Sequence, residues 1–251
     1  GYRLIAGTKQ RITDISHLIA LGGIAELKGI SIDGDVITVG AMTTQHELIT
    51  DEALSKAAPL IREASLQIAD PQVRYLGTIG GNVANGDPAN DMPGLMQTLD
   101  ATYHLTGPEG SRTIKARDFY EAAYFTARED EEILTAISFA KPSGGFAYEK
   151  QKRKIGDYAT AAAGVLITID GGTCTAASVA LTNLSDTPVY CAGAVDALVG
   201  SSLDDVAIKA AVKAAVDESD PVADTRGPVD FKKYVAGVIV KKAITSAVAR
   251  A

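Results

Sequence analysis

Apolar and polar residues alternate with a period of two from Val36 onward, as in a half-buried strand, and this pattern predicts a strand over 36–42. The alternation ends at Thr43-Thr44-Gln45-His46-Glu47. A threonine followed three residues later by glutamate is a capping box, so a helix is expected to start there with Thr43 or Thr44 as its cap. Leu54, Ala58, Ile61, Ser65 and Ile68 then recur at helical spacing. Pro59 suits the first turn of a fresh helix, because its missing N–H is not needed there. That helix is expected to end near Ala69-Asp70-Pro71, where a second proline forbids continuation.

Farther along, "MPGLMQTLDATYHL" predicts a short helix followed by a strand at 101–105, and "SRTIKA" and "EILTAISFA" predict two more strands. "KPSGG" at 141–145 is the clearest punctuation in the chain and marks the expected domain boundary. Beyond it come a strand at 146–152 and long alternating runs at 158–169 and 174–184, separated by the hairpin signal Asp170-Gly171-Gly172. Two helices close the chain. One covers 203–217, with Ser202 and Asp205 in capping-box positions, and the other starts at Pro228 with Phe231, Val235, Ile239 and Ala243 on one face. The fold class is α+β in two domains, residues 1–142 and 143–251, without internal repeats or low-complexity segments.

Composition narrows the function classes. Lysines and arginines number 24 against 31 aspartates and glutamates, so the chain carries −7 and is a poor non-specific nucleic-acid binder. No apolar run approaches membrane-spanning length and no secretory signal opens the chain. Gly1-Tyr2-Arg3-Leu4 reads as the interior of a longer polypeptide. Cys174 and Cys191 read as inert thiols in a reducing cytoplasm. Two cysteines cannot ligate an iron–sulfur cluster, which takes four ligands, so any such cluster belongs to another chain. His17, His46 and His104 are scattered singly, without metal spacing. The basic run Lys150, Lys152, Arg153 and Lys154 reads either as a solvated strand edge or as a contact for a phosphate or an acidic partner.

One stretch invites chemistry. "TIGGNVANGDPANDMP", from Thr78 to Pro93, supplies little core but many glycines, asparagines and aspartates. Paired glycines let successive N–H groups face one concavity, which suits a pyrophosphate. The stretch is neither a Rossmann fingerprint nor a P-loop, and a bare Gly-Gly-Asn is most often a turn. The density of Asn82, Asn85, Asp87, Asn90 and Asp91 is harder to explain as a turn, and tips the reading toward a ligand loop.

"ADPQVRYLGTIGGNVANGDPANDMPGLMQTL", with "GAMTTQHELI" upstream and "FAYEKQKRKIGDYATAAA" downstream, closely resembles the flavin-binding medium subunits of molybdenum-containing carbon monoxide dehydrogenases, relatives of the FAD domain of xanthine dehydrogenase. The resemblance runs from about Lys9 to the last helix. It implies a two-part FAD-binding domain like that of vanillyl-alcohol oxidase, followed by a smaller α+β domain. It also implies FAD on this chain, [2Fe–2S] clusters on a small partner subunit, a molybdenum cofactor on a large one, a paired heterotrimer and a membrane quinone as acceptor. On the same ground Thr78, Ile79, Gly80, Gly81 and Asn82 would hold the FAD pyrophosphate through backbone N–H groups, Asp91 would bond the nucleotide, Leu134 would be an apolar contact and Tyr158 would stand beside the isoalloxazine ring. Read without the family, Asp91 is a helix cap, Leu134 is core and Tyr158 is a buried tyrosine opening a strand.

One departure from the family pattern matters. Members carry a first glycine loop, Ala-Gly-Gly, several residues before a Met-Lys-x-Arg segment. Here Ala6 and Gly7 run straight into Thr8-Lys9-Gln10-Arg11, so the middle of the loop is missing. The expectation is that residues are absent from the sequence because a glycine loop deprived of its anionic ligand is too mobile to be seen, and hence that the chain was observed without FAD. A true deletion is the alternative.

Overall fold

The computed structural model describes residues 2–12 and 15–251. A helix α1 (Tyr2–Lys9) leads to the hairpin β1 (Ile30–Asp33) and β2 (Val36–Gly40). Short helices follow: α2 (Gln45–Thr50), α3 (Glu52–Ala57), α4 (Pro59–Ser65), α5 (Pro71–Leu76), α6 (Ile79–Ala84) and α7 (Asp91–Thr98). Next come the hairpin β3 (Thr102–Gly107) and β4 (Gly110–Lys115), the ribbon β5 (Tyr120–Ala122) and β6 (Phe125–Thr126), and β7 (Ile133–Ala140). β7 inserts between β2 and β3, giving an antiparallel sheet in the order β1-β2-β7-β3-β4.

The rest of the chain builds a second antiparallel sheet from β8 (Gly145–Gln151), β9 (Ala161–Asp170), β10 (Thr173–Thr182) and β11 (Val189–Tyr190), in the order β11-β10-β9-β8. α8 (Ala192–Leu198), α9 (Asp205–Asp217) and α10 (Val229–Val248) complete it. α10 lies across β8 and β9 and buries Val235, Ile239 and Ala243, while Phe231 at its start is 45% exposed. Gly171 (φ +56°) and Gly172 (φ +80°) close the β9–β10 hairpin, both in the left-handed conformation that matches strand twist.

α7 ties the halves together. All eight of its residues are buried. Its backbone comes so close to the second sheet that a Cβ on Gly94 would stand 2.3 Å from Thr182 Oγ1, and one on Gly164 would stand 2.5 Å from Thr98 Oγ1. Ser178 Oγ donates to Thr98 O at 2.7 Å across the same seam.

Several element ends differ from the sequence reading. β2 stops at Gly40, where the chain turns against Leu27, and Pro71 opens α5 rather than closing α4, with Asp70 capping Val73 N–H at 2.9 Å. α4 itself ends at Ser65. The cap of α9 is Asp204, which accepts from the N–H groups of Val206 and Ala207, so Ser202 has no part in it. α6 is a helix where an open glycine loop was expected, and Tyr158 precedes β9 without belonging to it. Cys174 lies in β10 and Cys191 just before α8. Both are buried free thiols, and burial raises their pKa.

Candidate functional site

Thr78 opens α6 as its cap, with Oγ1 accepting the Gly81 N–H at 3.1 Å. The N–H groups of Ile79 and Gly80 donate to Thr43 O and Ala41 O, both at 2.9 Å, and that of Asn82 to Thr78 O at 3.0 Å. The expected row of N–H groups facing a pyrophosphate is thus narrowed, because three of them are satisfied inside the fold. The one at Gly81 meets only a side-chain hydroxyl that can rotate.

The two glycines do different jobs. Gly80 is buried, and a Cβ there would lie 2.5 Å from Ala41 Cβ, so packing alone demands glycine. Gly81 is exposed, has no left-handed φ, and would bring its Cβ near Thr78 Oγ1 alone, at 3.0 Å. No contact among the described residues requires a glycine there.

Much of the remaining polar density wires the turn. Asn82 Oδ1 accepts from Met92 N–H at 3.2 Å, Asn90 Nδ2 donates to Asn82 O at 2.8 Å, and Asp87 Oδ1 accepts from Ala89 N–H at 2.9 Å. Asn85 Nδ2 is a buried donor with no partner among the described residues. The ribbon tip abuts this segment, Tyr124 N–H donating to Gly86 O.

Asp91 stands in the first turn of α7, after the Asn90 cap. Its Oδ1 accepts from the Tyr148 hydroxyl at 2.6 Å and its Oδ2 from Lys150 Nζ at 2.9 Å, and the residue is 4% exposed. Both oxygens of Asp91 thus take part in a buried bridge to β8. Burial, reinforced by the Asp91 charge, pushes the Tyr148 phenol well above its usual range. Lys150 also donates to Gln67 O, and its side chain is not part of a solvated edge. Farther along the run, desolvation first and Lys150 second lower the pKa of Lys152. Tyr148 and Lys150 share one face of β8 at period two, a sequence signal that could have found this pair.

Leu134 is core: it lies on β7 opposite Leu105 and is 6% exposed. Ala6 and Gly7 fall within α1, and Gly7 and Lys9 belong to that continuous helix with no loop between them. Tyr158 is 37% exposed on the connection from β8 to β9. That connection is joined to the glycine segment by Asn183, whose N–H donates to Pro88 O at 3.0 Å and whose Nδ2 donates to Ala159 O at 2.6 Å. Asn183 thus ties the connection that carries Tyr158 to the segment that carries Thr78–Asn82 and Asn90–Asp91. Leu134 precedes Thr135, whose carbonyl accepts from Ala41 N–H, while Ala6 and Gly7 belong to α1.

Residues 1–142 match the family described as the FAD binding domain in molybdopterin dehydrogenase. The chain belongs to that family. Residues 146–247 of this flavoprotein match the CO dehydrogenase flavoprotein C-terminal domain. The carbon monoxide dehydrogenase medium chain of Afipia carboxidovorans is 53% identical over all of this chain and 88% of its own length. A glyceraldehyde dehydrogenase medium chain from Sulfolobus acidocaldarius is 30% identical over 97% of this chain and 87% of its own. The solved structure of reconstituted CO dehydrogenase from Oligotropha carboxidovorans superposes with a TM-score of 0.98 at 52% identity, covering all of this chain and 88% of that one. The chain is an oxidoreductase subunit of the CO dehydrogenase medium-chain type with an FAD-binding domain. Its residues fit that cofactor at Gly81, a surface left open to close approach, and at Asn85, an orphaned donor.

Proposed function

We propose that this chain carries FAD as the electron-transfer medium subunit of a molybdenum hydroxylase acting on carbon monoxide. In this assembly, two heterotrimers pair, iron–sulfur clusters sit on the small partner, the molybdenum cofactor sits on the large one, and a membrane quinone is the acceptor. The complex would work in the cytoplasm, at the inner face of the membrane. No helix among the described residues is long and apolar enough to cross a membrane, so contact with the membrane would be peripheral.

The observation that carries the cofactor site is the exposed Gly81, glycine without internal cause. When bound, FAD supplies a redox centre that takes up single electrons and releases pairs. The chain supplies position. Thr78 and Gly81 offer a face on which a pyrophosphate can lie against the backbone, and Asn82 braces that face against α7. Tyr158 offers an aromatic ring to cover one side of the isoalloxazine and exclude water from it. Identity of 53% to a carbon monoxide dehydrogenase chain against 30% to a glyceraldehyde dehydrogenase chain favours carbon monoxide over a purine, aldehyde or heterocycle as the substrate of the complex.

A second reading has its own support. The unbroken α1 at Gly7–Lys9 and the committed N–H groups of Ile79 and Gly80 suit an assembly subunit that has lost FAD. Gly81→Val separates the two. In an FAD-carrying subunit the variant keeps its circular dichroism and melting temperature but loses its flavin. Normal FAD content in a folded Gly81→Val protein would sink the pyrophosphate assignment.

A further inference from the structure

Tyr158 belongs to no strand, and side chains around it add to the backbone bonds of Asp157 and Thr160 in placing it. Asp157 Oδ1 accepts the Tyr158 N–H at 2.8 Å, and Asp157 Oδ2 accepts from Arg153 Nε at 2.8 Å. Arg226, 68 residues farther along the sequence (226 − 158), reaches the same point. Its Nη2 is 3.7 Å from Asp157 Oδ1 and its Cζ lies 5.5 Å from the centre of the Tyr158 ring.

Arg226 is held in turn from the C-terminal helix. Its N–H donates to Asp224 Oδ1 at 2.8 Å and its Nη1 is 3.3 Å from Asp224 Oδ2. Asp224 Oδ2 is 3.0 Å from Lys232 Nζ, a lysine of α10 whose side chain is 1% exposed. Arg153 Nη1 donates to Thr225 O at 3.3 Å, so the contact is made from both sides. Arg226 Nε is buried without a partner among the described residues, and the side chain is only 16% exposed. A guanidinium that leaves a buried donor unmet is held by what its other atoms grip.

We propose that Arg226 is a positioning residue for Tyr158. The turn at 224–227, anchored on α10 through Lys232, fixes the 153–158 segment and the orientation of the ring. This deepens the reading of Tyr158 as the flavin's neighbour and rests on it.

The test compares Tyr158→Ala, Arg226→Ala and Arg226→Lys in the FAD-loaded protein. It reads flavin fluorescence, the FAD-to-chain ratio, and the rate of tryptic cleavage after Arg153 and Lys154. Tyr158→Ala is expected to raise flavin emission several-fold by removing a quenching ring. Arg226→Ala is expected to raise it comparably at an unchanged FAD ratio and to speed cleavage of the segment several-fold, with or without flavin. Arg226→Lys, which keeps the charge, is expected to recover part of both effects. Arg226→Gln keeps most of the volume and replaces Arg226→Ala if the latter does not fold. Raised emission in Tyr158→Ala with wild-type emission and cleavage in Arg226→Ala would overturn the positioning role alone. Unchanged emission in Tyr158→Ala would remove the flavin reading of Tyr158, and this inference with it.

Discussion

Asp91 and Lys150 form an ion pair of 2.9 Å with side chains 5% and 1% exposed, joining the first turn of α7 to the edge strand β8. A buried pair of this kind adds little net stability over an apolar pair, but losing one member strands a charge in low dielectric. Lys150→Met is therefore expected to cost about 3–5 kcal/mol. The double variant Asp91→Asn/Lys150→Met should recover much of that loss, since the introduced amide is neutral and its oxygen can still accept from the Tyr148 hydroxyl. Urea midpoints of the three proteins check this. An unchanged midpoint in Lys150→Met would contradict the burial of the pair.

Gly80 and Gly81 should respond differently to one added methyl group. Gly80→Ala drives a Cβ into Ala41, a clash at 2.5 Å, and overpacking of this kind costs about 1–3 kcal/mol. Gly81→Ala meets only the Thr78 hydroxyl and should change stability by no more than about 0.5 kcal/mol. Its effect should show in flavin retention. Thermal melts and acid-released flavin, measured side by side, separate structural from functional glycine.

How much of this was legible depended on range. Thr44 caps α2 through a complete capping box with Glu47, Pro59 opens α4, and Gly171–Gly172 close a hairpin, because each signal acts within a few residues. In the glycine segment, Gly80 is required by Ala41, a contact from β2's end that no local pattern announces. Lys150 sat in a basic run that read either as a solvated edge or as a contact for a phosphate or an acidic partner, yet its partner Asp91 lies 59 residues earlier in the chain. Asp204, not Ser202, caps α9, because the helix begins at Asp205 and Ser202 stands two residues before the cap position. Of the site, Tyr158 was named but not the Asn183 and Arg226 that hold its segment, since both are remote in sequence.

Asn183 links the two loops from a left-handed backbone at φ +61°. Asn183→Gly keeps that backbone and loses the side-chain bonds, an expected cost of about 0.5–1.5 kcal/mol. Asn183→Ala adds the left-handed penalty of about 1–2 kcal/mol. The order wild type, Gly, Ala in melting temperature is the expected outcome, and Ala melting above Gly would contradict it.

Glu132 gives an acid-dependent contribution. Both its oxygens accept from Arg112, Nε at 2.6 Å and Nη2 at 2.8 Å, and one also accepts the Glu129 N–H at 2.8 Å. The Arg112 hydrogen bonds, followed by that N–H, lower its carboxyl to about 2. Because the folded value lies below the unfolded one of about 4.3, the contribution is complete above that pH and is lost as pH falls toward the folded value. Glu132→Gln should therefore melt below wild type at neutral pH, with the gap closing on acidification to about pH 2. A gap independent of pH would contradict the assignment.

The central claim is that FAD occupies this subunit. Its most direct test is the FAD-to-chain ratio of the purified native complex, from acid-released flavin against quantified protein, before and after incubation with added FAD. The account predicts a ratio near one. A ratio near zero that added FAD does not raise would contradict it, and would leave this subunit as a scaffold whose complex passes its electrons out by another route.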